Sequence, residues 1–134
     1  MNSFCQNLSV VLPLMFLCTI CSGQPDSAIG YYNFRPDGAP RILSDSNTGI
    51  HYVLDSSHIY VEAINQQGKT IWRTDPWKDN NLPHYRTSRP RIVSFAVGKA
   101  YWTHNQREIL ISYDNTQTGF LNLKTGKFTF KMQL

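Results

Sequence analysis

Short β-type segments separated by turn residues fill the chain from residue 28 onward, and this pattern constrains the fold most strongly. The 3.6-residue spacing of apolar side chains typical of amphipathic helices is missing, and segments rich in Ile, Val, Tyr, Phe and Trp alternate with Gly, Asn, Asp and Pro. The predicted strands are residues 29–34, 41–44, 50–54, 58–65, 69–74, 91–97, 100–103, 108–113, 119–123 and 127–132. This spacing predicts one antiparallel all-β domain, built as a sandwich, an open barrel or a sheet like a propeller fragment.

Alternation within three of these segments predicts which side chains are buried. Successive side chains of a strand point to opposite faces, so apolar residues at every second position mark the core face. The residues predicted to share a core face within their own strand are Ile59, Val61, Ala63, Ile109, Ile111, Tyr113, Phe128, Phe130 and Met132.

The first 25 residues differ from the rest because no charged side chain precedes Asp26. The thirteen residues from Leu8 to Ile20 are almost all apolar, which is short for a membrane span of ~20 residues but fits a signal-peptide core of ~7–15. Small residues follow up to Gly23, and Pro25 stops a helix there. We therefore predict a cleaved signal peptide over residues 1–23, a single domain over 24–134, and a bacterial periplasmic or secreted location. An uncleaved anchor, an incorrectly assigned start codon and lipidation at Cys21 are the alternatives.

Cysteine usage supports a domain without disulfides. All three cysteines, Cys5, Cys18 and Cys21, lie in the predicted leader. The remaining chain must therefore fold on a hydrophobic core alone, which its length of about 110 residues permits.

The longest predicted loop, residues 75–90, carries the candidate binding site. Loops of this length are usually functional. The predicted binding residues are Trp77, His84, Tyr85, Arg86, Arg89 and Arg91. Arginines beside aromatic rings bind anions, and export favours a protein or anionic envelope partner over nucleic acid. The structural alternative is that the Pro-flanked arginines only tie the loop to the sheet by bonding backbone carbonyls.

Catalytic and metal-binding patterns are weak. The four histidines, His51, His58, His84 and His104, lack zinc-ligand spacing, and no G-x-S-x-G motif occurs. We predict no metal and no cofactor. The enzyme question stays open, with a non-catalytic protein favoured over a small envelope hydrolase acting on carbohydrate or peptide.

Two segments repeat a hairpin pattern. Residues 63–72 (AINQQGKTIW) are echoed by residues 121–130 (LNLKTGKFTF), and Pro40-Arg41-Ile42-Leu43 is echoed more loosely by Pro90-Arg91-Ile92-Val93. The hairpins resemble the blade hairpin of quinoprotein-like β-propellers, in which a polar turn with Gly precedes a strand ending in an aromatic residue. The chain is too short for a closed propeller of ~4 or more blades. Positions that match the quinone and metal sites of those enzymes are absent, so the resemblance implies no cofactor.

The chain after the leader also resembles a group of small exported bacterial proteins of uncharacterised function. The segments that carry this resemblance are residues 64–72 (INQQGKTIW), 83–90 (PHYRTSRP) and 118–120 (TGF). The resemblance implies export and an all-β body. We therefore predict an exported, non-catalytic binding protein, such as an inhibitor or immunity-like protein. Self-association through unpaired strand edges is a further expectation.

Overall fold

A computed structural model describes residues 29–83, 88–99, 104 and 106–134 of the chain. The leader and the predicted strand at residues 100–103 lie outside this part. The described elements are β1 (Ile29–Tyr31), β2 (Arg41–Asp45), β3 (Ile50–Leu54), β4 (Val61–Ile64), β5 (Thr70–Thr74), α1 (Pro76–Asp79), β6 (Ile92–Lys99), β7 (Arg107–Tyr113), β8 (Gln117–Asn122) and β9 (Phe128–Gln133).

The strands form two separate antiparallel sheets. One sheet has the order β1-β6-β7-β8-β9, and the other has the order β2-β3-β4-β5. Each sheet therefore contains four consecutive strands that run up and down as a meander. The prediction of an antiparallel all-β domain is confirmed. Within the described residues, no helix is long and apolar enough to cross a membrane.

Each sheet contributes one face to a shared hydrophobic core. In the four-stranded sheet, Leu43, Tyr52 and Ala63 lie side by side across neighbouring strands. In the five-stranded sheet, Val97, Ile109, Leu121 and Phe128 form the corresponding row. Since both rows belong to one buried cluster, the two sheets form a two-layer sandwich. The predicted core residues Val61, Ala63, Ile109, Ile111 and Tyr113 are buried, and Ile59 is half-buried.

The predicted core face of β9 is wrong beyond its first residue. Phe128 is buried, but Phe130 and Met132 are each 41% exposed. The pairing with β8 is irregular between Thr118 and Gly119, so that Gly119 faces Phe130 whereas Thr118 faces Met132. The extra residue is Lys131, so it breaks the two-residue alternation for Met132 only. Phe130 keeps the sheet face of Phe128, but β9 is an edge strand with a neighbour on one side only, which leaves Phe130 exposed.

The two echoing segments occupy equivalent places in the two meanders. They form the β4–β5 and β8–β9 hairpins, which are the last hairpin of each meander. Both turns begin at an asparagine, Asn65 or Asn122, whose side-chain oxygen accepts backbone N–H groups of the turn. Both contain a glycine with positive φ, Gly68 at 78° and Gly126 at 68°. The second turn is one residue longer. The looser echo immediately precedes or begins β2 and β6, the first strand of each meander.

Side-chain hydrogen bonds between described residues link the two sheets. The Trp72 indole N–H donates to the Leu123 carbonyl at 3.0 Å. Arg107 on β7 donates to the carboxylate of Asp45 on β2 at 3.0 Å, and Asp45 is 2% exposed. Burial raises the pKa of the Asp45 carboxyl, but hydrogen bonds from Arg107 and the Asn47 amide outweigh burial and hold that pKa below its usual range.

Candidate functional site

The residues predicted to bind a partner are only partly within the described structure. Trp77, Arg89 and Arg91 are described, whereas His84, Tyr85 and Arg86 lie outside the described residues. The site is therefore built from the two sides of the loop, residues 75–83 and 88–91.

The first side of the loop folds into the one-turn helix α1. Asp75 is its N-cap and accepts a hydrogen bond from the Lys78 amide at 3.2 Å, and Pro76 follows at the first helical position. Asp79 closes the turn, because its carboxylate accepts from the Thr74 hydroxyl at 2.9 Å and from the Asp75 amide at 3.0 Å. The carboxylates of Asp75 and Asp79 thus hold the loop at the end of β5.

Trp77 lies beneath the loop. Its side chain is 8% exposed and belongs to the core cluster together with Leu82. The Leu82 amide donates to the Trp77 carbonyl at 3.2 Å. The indole therefore fixes the loop on the sandwich and presents little surface to a partner.

Arg89 connects the second side of the loop to the first. Its guanidinium forms an ion pair with Asp75, which is 6% exposed. The guanidinium carbon also lies 5.7 Å from the ring centre of Trp77 and 6.0 Å from that of Tyr60. The hydrogen bond to Asp75 raises the pKa of Arg89. Arg89 thus ties the two sides of the loop to each other through a carboxylate, whereas the structural alternative expected bonds to backbone carbonyls.

Two polar residues support the loop from the five-stranded sheet, Gln117 in β8 and Asn115 in the turn before β8. Gln117 is fully buried, and its amide nitrogen donates to the Pro83 carbonyl at 3.1 Å. Asn115 donates to the Gln117 side-chain oxygen at 2.9 Å, which orients the Gln117 amide. Sequence reasoning missed both residues. The signal was the polar Gln117 at a position whose strand alternation points to the core.

An open pocket of about 300 Å³ lies beside α1. It is lined by Tyr60, Arg73, Thr74, Asp75, Lys78 and Asp79. The Arg73 guanidinium lies 4.6 Å from the centre of the Tyr60 ring, so the ring holds the cation in place. Tyr60, Arg73 and Lys78 were not predicted as site residues. Little in the sequence indicates that these residues form a site, because they are separated in sequence and come together only beside α1.

Arg91 lies at the exit of the loop. The Arg91 amide donates to the Asp114 carboxylate at 3.1 Å, and the Asp114 amide donates to the Arg91 carbonyl at 2.9 Å. These bonds hold the backbone, while the residue itself is exposed. A second pocket of about 210 Å³ is lined nearby by Ser88, Pro90, Asp114 and Asn115.

Away from the loop, a hydroxyl and an imidazole meet on the surface of the four-stranded sheet. Ser44 Oγ lies 2.9 Å from His51 Nδ1, across the β2–β3 pair. His58 is instead buried, with Nε2 2.7 Å from the Ala39 carbonyl. In the part of the chain that the structure describes, no group of three or more His, Cys, Asp or Glu side chains is placed to hold a metal ion.

Comparisons with protein-family models, curated proteins and solved structures found no match to this chain. The function must therefore be argued from the site itself.

Proposed function

We propose that the protein is an exported, non-catalytic binding protein that holds an anionic group of a protein or envelope partner on its loop surface. The loop surface is defined by Tyr60, Arg73 and Lys78 beside α1. The exposed Arg91 extends it at the exit of the loop. The sequence-predicted His84, Tyr85 and Arg86 are proposed as further contacts of the partner. An inhibitor or immunity-like role is consistent with such a surface.

The observation that carries the proposal is the position of Arg73 over Tyr60 at the pocket beside α1. The two carboxylates of that pocket are already engaged, since Asp75 pairs with Arg89 and Asp79 accepts from Thr74 and the Asp75 amide. Arg73 and Lys78 are exposed and supply the positive charge at its rim. An arginine held by a ring loses less freedom on binding and can donate to both oxygens of a carboxylate or phosphate.

The order of the first side of the loop, residues 75–83, supports the same proposal. The helix cap at Asp75, the buried Trp77 and the hydrogen bond from Gln117 to the Pro83 carbonyl fix the backbone of this segment. A surface that is ordered before binding avoids part of the entropic cost of association.

The proposal is tested by affinity capture from periplasm with mass spectrometry, followed by binding measurements on the captured partner. The double variant Arg73→Gln with Lys78→Gln should weaken binding at least about tenfold, since charged contacts are lost. Lys69→Gln with Lys124→Gln is the matched control, because it removes the same charge from exposed turns. Equal binding by the two double variants would refute the loop surface.

The sequence-predicted part of the surface has its own variant. Arg86→Gln with Arg91→Gln should weaken the same partner further if the contact extends along the loop. The leader is tested separately, because N-terminal sequencing of the exported protein should start at Gln24, and an intact Met1 would contradict cleavage.

A hydrolase is the second candidate because of the hydrogen bond between Ser44 and His51. A hydroxyl beside an imidazole is the pairing used by nucleophilic hydrolases. Activity on ester, peptide or glycan substrates that disappears in Ser44→Ala and in His51→Ala would favour this candidate over a binding protein.

A further inference from the structure

Strand β9 presents a long edge of the five-stranded sheet. It has six residues, and all but Phe128 are exposed. The opposite edge of the same sheet, β1, has only three residues. No described strand pairs with the outer edge of β9. An unpaired edge of this length is a template for pairing with another strand.

Two residues of β9 point their backbone N–H and C=O groups toward the outer edge of the sheet. The Asn122 amide donates to the Lys127 carbonyl, so residues 122 and 127 form a hydrogen-bonded pair. Hydrogen-bonded and non-hydrogen-bonded pairs alternate along an antiparallel ladder. Phe120 and Thr129 are therefore the next hydrogen-bonded pair, and Phe128 and Phe130 turn their N–H and C=O groups away from β8.

The sequence of this edge reads the same in both directions. Residues 127–131 are Lys-Phe-Thr-Phe-Lys, a palindrome centred on Thr129. A palindromic strand that meets a copy of itself antiparallel places like residues opposite each other. Thr129 then faces Thr129 of the second copy, and Phe128 faces Phe130 of the second copy on both sides of the centre.

We propose that two copies of the chain pair antiparallel through β9, with a two-fold axis at Thr129. In this register the outward groups of Phe128 and Phe130 meet those of the second copy, so four backbone hydrogen bonds form. The half-exposed Phe130 ring gains an aromatic cross-strand neighbour on the sheet face it shares with Phe128. The two five-stranded sheets join into one, and the interface closes on itself.

The same register brings lysines of the two copies together, and their repulsion gives the dimer a characteristic salt dependence. Counted along the backbone from Thr129, Lys127 of one copy comes opposite Lys131 of the other, twice per dimer, at the position where the extra residue of β9 lies. Like charges directly opposite on paired strands are destabilising, and salt screens them. The dimer should therefore tighten as the salt concentration rises, unlike an association driven by opposite charges.

The first experiment locates the axis with single cysteines in the exported protein. Thr129→Cys should form a disulfide-linked dimer under mild oxidation, because residues at the centre of the pairing face each other. Phe130→Cys is the control and should stay unlinked, since its partner is residue 128. The parent chain measures the background from Cys5, Cys18 and Cys21 in any uncleaved leader. Monomers of the parent chain at all concentrations in sedimentation equilibrium, or linkage of Phe130→Cys but not Thr129→Cys, would overturn the proposal.

The second experiment reverses the charge cost. Lys131→Glu converts both Lys–Lys contacts into attractive pairs and should lower the dimer dissociation constant about three- to tenfold. Lys124→Glu changes the net charge equally but lies in the β8–β9 turn and should leave the dimer dissociation constant nearly unchanged. Weaker dimers in Lys131→Glu, or equal changes in both variants, would contradict this register.

Discussion

The β4–β5 and β8–β9 hairpins start from the same sequence pattern and end in different environments. Both run from an Asn-initiated turn through Gly-Lys to a strand with an aromatic residue four positions after the glycine. In the first hairpin that aromatic residue, Trp72, packs against the other sheet. In the second, the corresponding Phe130 is 41% exposed.

The surroundings of the two turn glycines also differ, and here it is the glycine of the second hairpin that is in contact with the other hairpin. A Cβ at Gly126 would lie 2.5 Å from the Trp72 ring, whereas a Cβ at Gly68 would meet nothing within 4 Å. The first hairpin thus supplies an aromatic side chain to the sandwich, and the second supplies the turn that receives it. The two copies of the sequence repeat thus have different roles in one contact, since Trp72 of the first hairpin packs on Gly126 of the second. The equivalent residues Phe130 and Gly68 make no such contact with each other.

The largest expected effect on stability comes from replacing the glycine in the contact between Trp72 and Gly126. Gly126→Ala should lower the free energy of unfolding by about 3 kcal/mol, since positive φ strains a non-glycine residue and the methyl group overlaps the Trp72 ring. Gly68→Ala has the same backbone strain without the overlap and should cost about 1 kcal/mol. Urea unfolding of both variants measures the difference. Equal losses would show that the ring contact contributes nothing.

The comparison also separates what the sequence could predict from what it could not. Strand alternation predicts the buried faces of β4 and β7 correctly, because both strands have neighbours on each side and a full set of apolar partners. The same reasoning fails at β9. Its alternation is as regular in sequence, but edge position and the irregular pairing at Thr118 are properties of the whole sheet.

The candidate site follows the same division. The length and composition of the loop point to residues 75–90, and Arg89 does connect the two sides of this loop. The loop sequence gives no indication that Arg89 is neutralised by Asp75, nor that Arg73 from β5 lies over Tyr60, which immediately precedes β4. Those contacts depend on how separate strands are placed side by side, which local patterns do not encode.

The next effect concerns the aromatic side of the contact. Trp72→Phe should lower the free energy of unfolding by about 2 kcal/mol, because it removes the bond to the Leu123 carbonyl and part of the packing on Gly126. Phe130→Leu changes the corresponding residue and should cost no more than about 0.5 kcal/mol in the monomer. Thermal unfolding followed by near-ultraviolet circular dichroism reports both values. A cost for Phe130→Leu as large as that for Trp72→Phe would place Phe130 in the core.

The smallest effect concerns the second link between the sheets, Asp45 to Arg107, and it depends on pH. The pKa of Asp45 is lowered in the folded protein, so the unfolded chain binds a proton at higher pH than the folded chain does. The stabilisation is therefore complete above the unfolded pKa of about 3.9 and is lost as the pH falls through the lower folded value. Asp45→Asn should destabilise the protein at pH 7 by about 1 kcal/mol, and the difference in free energy of unfolding from the parent chain should narrow as the pH falls below about 4. Asp37→Asn is the control. Asp37 is exposed and pairs with Arg41 at the start of β2, so this ion pair lies within one sheet and does not join the two sheets. If the difference in free energy of unfolding between Asp45→Asn and the parent chain stays constant at low pH, the Asp45 carboxylate does not stabilise the contact between β2 and β7.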